Sequence, residues 1–143
     1  MIIILVCLQC WQKKEECKCN NQITERLIEI DDRIYEAIRN LNLLGYKTKF
    51  CCEGHTDNGS IQAYIFFDWD KGQQMFETLP EGWLFDSYSY RKVKHYKYNI
   101  IRSIIPNNRK LAKLTDGQKQ EIINRHIDNL TKWSETLDKK RTG

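Results

Sequence analysis

The first hydrophobic feature of the chain is an unbroken apolar run, Met1–Val6, with Ile or Val at four of its six positions. A run this short and this rich in β-branched residues predicts a buried strand leading into Cys7. Residues 11–22 are polar and charged without any period, which predicts a loop. Beyond them Ile34, Ala37, Ile38, Leu41 and Leu44 recur at helical spacing. They predict a helix over 32–44 that is N-capped by Asp31 and stopped at Gly45. The period then changes to two. Tyr46, Thr48, Phe50 and Cys52 alternate with Lys47, Lys49 and Cys51. After Asn58-Gly59, a strong hairpin-turn signal, Ile61, Ala63, Ile65 and Phe67 alternate with Gln62, Tyr64 and Phe66.

The segment "DWDKGQQMFETLPEG" predicts a short helix between two breaks. A second hairpin follows, "WLFDSYSYRKV" and "HYKYNIIRSII", closed by Pro106. Thr115 and Gln118 have capping-box spacing and start a final helix. Its buried stripe is Ile123, His126, Ile127, Leu130, Trp133 and Leu137. This order predicts an α+β fold: an antiparallel sheet of two hairpins packed with two main helices, plus a small N-terminal zinc-binding loop. The expected division is a cysteine-rich segment, 1–22, and an α+β domain, 23–143.

Composition agrees with a folded domain: 143 residues, 41% hydrophobic and 29% charged. The apolar opening has no basic residue before it and is too short for a secretory core or a membrane span. A reducing, cytoplasmic setting without membrane association is therefore expected, and six cysteines there point to metal or thiol chemistry before disulfides. The net charge of +4 conceals an uneven distribution. Residues 1–82 carry a net −4, residues 83–114 a net +7 with Asp86 as their single acid, and residues 115–143 a net +1.

Cys7, Cys10, Cys17 and Cys19 place four thiols within thirteen residues. Zn²⁺ takes four soft ligands tetrahedrally, and four protein ligands leave no position for a reactant. One structural zinc is the expected cofactor. Reduced thiols, a disulfide pair or an iron–sulfur cluster are the alternatives.

Cys51, Cys52 and His55 form a second candidate site. Strand alternation puts Cys52 on the core face with Phe50, and Cys51 on the face of Lys47 and Lys49. Lysines beside Cys51 would lower its thiol pKa, and Gly54 would admit a close backbone approach. A small polar site, a second metal site and simple packing of both thiols all remain open.

The segment "LLGYKTKFCCEGH", followed by "AYIFFD", resembles a recurring group of small bacterial and bacteriophage proteins. These carry an N-terminal cysteine cluster, a helix and a G-Y-x-T-x-x-C-C-x-G-H segment. The likeness covers about residues 1–68. It implies an accessory protein of bacteriophage type acting in the host cytoplasm, including an inhibitor of host defence such as an anti-CRISPR. The same stretch is distantly similar to a T-x-S-S-C-S-G-R segment of the wybutosine-synthesis methyltransferase family. Here His55 stands in place of the arginine, and Lys49 and Phe50 in place of the first serines, so this likeness carries no methyltransferase assignment.

In the second hairpin Tyr88, Tyr90, Tyr96 and Tyr98 interleave with Arg91, Lys92, Lys94, Lys97 and Arg102. Aromatic faces stack on bases and cations meet phosphates, so nucleic acid or a host nucleoprotein is the expected partner. A solvated edge hairpin would also carry lysines, but it would more often mix signs. The chain is therefore expected to be a non-enzymatic, zinc-stabilised binding protein. Two alternatives stand beside it: an enzyme using Cys51 and His55 as nucleophile and base, and a nucleotide-signal pocket with Lys47 and Lys49 on the phosphates.

Overall fold

A computed structural model of the chain describes residues 2–19, 27–54, 56, 61–68, 76–89 and 97–138. The architecture is α+β, as the alternating periods predict. Among the described residues there are six strands, β1 (Ile3–Cys7), β2 (Leu27–Asp31), β3 (Thr48–Cys52), β4 (Tyr64–Phe67), β5 (Trp83–Ser89) and β6 (Lys97–Ser103). The helices are α1 (Tyr35–Leu43), α2 (Asn108–Leu111) and α3 (Asp116–Thr136). β1 and β2 pair antiparallel as a separate ribbon, and the other strands form one antiparallel sheet in the order β3-β4-β6-β5. The two expected hairpins are thus joined through β4 and β6.

Helix ends follow local chemistry. α1 closes in a Schellman motif, with Gly45 at φ 95, its N–H donating to Asn42 O and the Tyr46 N–H to Leu41 O. The N-terminus of α1 differs from expectation. Asp31 does not cap it. Asp31 ends β2, α1 starts after Ile34, and no side chain caps it. The Asp31 carboxylate instead accepts the Glu53 N–H at 3.3 Å. α3 opens on the capping box: Thr115 Oγ1 accepts from Gln118 N–H at 3.2 Å, and Gln118 Oε1 from Thr115 N–H at 2.9 Å.

One core lies between the sheet and the helices. Ile34, Ala37, Ile38 and Leu41 from the α1 segment meet Ile123, Ile127, Leu130 and Trp133 of α3 and Ile65, Phe67, Trp83 and Ile101 of the sheet. Phe76 sits among Phe67, Tyr46 and Trp133 at centroid distances of 5.3, 4.9 and 4.8 Å. The buried Trp83 Nε1 donates to His126 O at 3.0 Å, so its polar edge is satisfied.

Two expectations are corrected. The first strand exists but is half-buried: Val6 and Cys7 are enclosed, while Ile3 is 52% exposed. A two-stranded ribbon has only one covered face, so its outer row stays in solvent. The second correction concerns 76–82, which is not helical. The rest of the expected short helix, 69–75, lies outside the described residues, as do the Asn58-Gly59 turn and the tail from 139.

Candidate functional site

The candidate metal centre is built by the end of β1 and the turn after it. Trp11 N–H donates to Cys7 O at 2.8 Å and Cys7 N–H to Gln12 O at 3.0 Å, folding Cys7 and Cys10 into one knuckle. Trp11 takes φ 61, a left-handed backbone that costs a bulky residue on the order of 1 kcal/mol. The knuckle is tied down there: Tyr35 Oη of α1 donates to Trp11 O at 2.8 Å. A 3-10 turn at Lys14–Glu16 then brings Cys17 and Cys19 back towards Cys10.

The four Sγ atoms all lie within 4.8 Å of one another, and Cys10 and Cys17 Sγ are 3.4 Å apart. A tetrahedral ion with bonds near ~2.3 Å separates its sulfurs by roughly 3.8 Å, so this set fits a metal ion. All four thiols are free of disulfides; Cys7 is buried and the other three are half-exposed. The Cys19 thiol is pushed up to about 12, by desolvation first and then by hydrogen bonds and repulsion from Cys10 and Cys17. Desolvation also raises Cys10. Converging thiols resist ionisation together unless a cation supplies the opposite charge. None of residues 8–19 is fully buried, so this loop has no hydrophobic core of its own. A metal cross-link is the interaction that its chemistry offers instead.

The second cysteine pair sits differently from the strict alternation. Thr48 pairs with Phe67, but Phe50 pairs with Phe66 and Cys51 with Ile65, because a β-bulge shifts the register at Lys49. The bulge exchanges the faces. Cys51 packs against the core, and Cys52 pairs with Tyr64 on the other side. The Cys51 thiol is pushed up to about 12, by burial first and then by the charges of Asp31, Cys52 and Glu53. Burial also raises Cys52. The expected lowering of Cys51 by lysines is therefore overturned. Gly54, at φ 90, turns the chain where a Cβ would stand 2.6 Å from Ile61 O. His55 lies outside the described residues.

Among the basic residues, Arg102 is on β6 and pairs with Asp86 of β5 at 2.9 Å. Lys97 and Tyr98 open β6, opposite Ser89 and Tyr88. Tyr90, Arg91, Lys92, Lys94 and Tyr96 lie outside the described residues. Two aromatic residues, Tyr64 and Phe66, were not singled out by sequence. The available signal was "AYIFFD", a strand that is apolar on both faces and so has something to bury or bind on each.

No described helix is long and apolar enough to cross a membrane. No protein-family model, curated protein or solved structure matches this chain, so its activity has to be read from its own geometry.

Proposed function

We propose that the protein is a non-enzymatic, zinc-stabilised binding protein that docks on nucleic acid, or on a nucleoprotein, through its basic tyrosine-rich hairpin. The carrying observation is the path of β5 and β6. Among the described residues, β4 pairs with residues 99–102 of β6, and Lys97 and Tyr98 pair with β5. Among the described residues β5 and β6 thus stay paired beyond the last β4 pair, inside the chain's +7 segment, 83–114. Zinc is the metal that best suits four thiolates in a closed, redox-silent site. The neutral Cys51 thiol supports a binding role over a nucleophilic one. The likeness to bacteriophage proteins makes a host defence nucleoprotein, in the host cytoplasm, the first partner to try.

Charge reversal tests this reading. Lys92→Glu, Lys94→Glu and Lys97→Glu together should abolish binding to nucleic acid while leaving the circular dichroism spectrum and melting transition in place. Solvated lysines contribute within about 0.5 kcal/mol each to stability. Wild-type affinity should fall steeply with salt as counterions are retained. Undiminished, salt-insensitive binding by the triple variant would refute the assignment.

A further inference from the structure

Among the described residues β2 and β3 are end strands of their two sheets, and both line one cleft of about 450 Å³. Ile28 and Ile30 from one face of β2 line it together with Glu29 from the other, so the cleft meets that strand edge-on. Antiparallel pairing sends the N–H and C=O of successive residues to opposite edges of a strand. Asp32 N–H donates to Ile2 O, so Ile30 and Ile28 bond to β1, and Glu29 turns its N–H and C=O the other way. Ser103 N–H donates to Ala63 O, so Ile65 bonds to β6, and Cys51 opposite it turns its own groups away from β4. The two strands thus offer backbone donors and acceptors to the same gap. Over most of their length their Cα atoms stand more than 8 Å apart, where a bonded pair stands at about 4.7–4.9 Å and one intervening strand needs roughly 9.5 Å. At one end the gap is tied, because the Asp31 carboxylate accepts the Glu53 N–H at 3.3 Å.

We infer that the cleft receives an extended peptide segment of a partner protein as an added strand between β2 and β3. Its backbone pairs with Glu29 on one side and with Cys51 on the other, which is strand addition at two edges at once. Its side chains alternate between two apolar surroundings. Ile30 and the α1 residue Ile38 lie on the helix side, and Tyr64 and Phe66, whose rings meet edge to face at 5.4 Å, lie on the other. Glu29 and Lys49 face the cleft from opposite strands with opposite charge. The walls therefore carry no net charge, which suits an uncharged backbone with apolar side chains and gives a polyanion no advantage. This site lies apart from the basic hairpin and draws on none of its residues.

The test pans the full-length protein against a displayed library of random seven-residue peptides, and the enriched sequences are synthesised. They should lack proline and carry apolar residues at alternate positions. A synthetic copy should slow hydrogen exchange in residues 27–31 and 48–52 and leave residues 83–89 unchanged. Copies N-methylated at alternate backbone nitrogens keep every side chain but lose edge donors, and they should bind at least about 10-fold more weakly. Glu29→Pro removes one cleft-facing N–H while sparing the β1 pairs, and it should weaken the peptide by about 10-fold without altering nucleic-acid binding. The N-methylated copies need no change in the protein, so they separate strand addition from a folding defect. Three outcomes overturn the inference. The first is a library that yields no enriched peptide, or peptides whose N-methylated copies bind equally well. The second is displacement of the peptide by oligo(dT), which assigns the cleft to nucleic acid. The third is protein that self-associates with the same protection in residues 27–31 and 48–52 before any peptide is added, which assigns the cleft to a second copy.

Discussion

Cys51 is decided by its neighbour. One extra residue at Lys49 turns its thiol from the lysine face to the core face, where burial and the carboxylates of Asp31 and Glu53 raise its pKa to about 12. It should therefore resist iodoacetamide in the native protein at neutral pH and react once the chain is unfolded, as peptide mapping would report. Rapid alkylation near pH ~6 would contradict this, since an ordinary thiol ionises near ~8.5. His126 makes a second residue-scale case. It is 8% exposed, it has no partner for Nδ1 among the described residues, and a Cβ on Gly82 would stand 3.1 Å from its ring. Burial first, and the Arg125 charge second, lower its pKa. The unfolded chain then binds this proton more readily than the folded one as pH falls. The stability that His126 confers is complete above its ordinary value of about 6.5 and is lost as pH drops through the folded value. Urea melts between roughly pH 5 and 7 should show this slope, and His126→Gln should flatten it. A slope that persists in the variant would assign it to other groups.

At the scale of elements, strong local signals were legible and long-range ones were not. The capping box at Thr115, the stop at Gly45 and the four-cysteine spacing are each settled within a few residues, so they read directly from the sequence. β2 was missed because "LIEID" is short and earns its place only by pairing with β1. That pairing also removed Asp31 from its expected role as a cap. The knuckle makes the corresponding prediction. Purified protein should contain about one equivalent of zinc. Cys7→Ser removes the buried ligand and should weaken zinc binding by at least about 100-fold, beyond the 10–100-fold typical of losing a supporting contact. Hydrogen exchange should then rise in residues 8–19 before it rises in β4 and β6, because those strands have their own apolar core. Metal-free protein with an equally protected loop would rule out a metal cross-link.

At the scale of the whole molecule, the helices cover one face of the four-stranded sheet and leave the other outside the core. Ile101 and Asn99 lie on the core-facing side of β6, while Ile100 and Arg102 lie on the other, so one strand contributes to both faces by alternation alone. The sequence by itself determined where the two main helices and the alternating strands of the hairpins lie, that the fold is α+β, where the four thiols cluster and where positive charge concentrates. Each depends on period, spacing or composition within a short window. Only the tertiary structure decided that β1 pairs with β2, that β4 pairs with β6, and that Cys51 faces inward. It also set Tyr64 and Phe66 on a sheet face outside the core. Strand partners are distant in sequence, and a single bulged residue inverts every later side chain on its strand. The face that a residue presents is therefore set by pairing, which a local pattern does not contain.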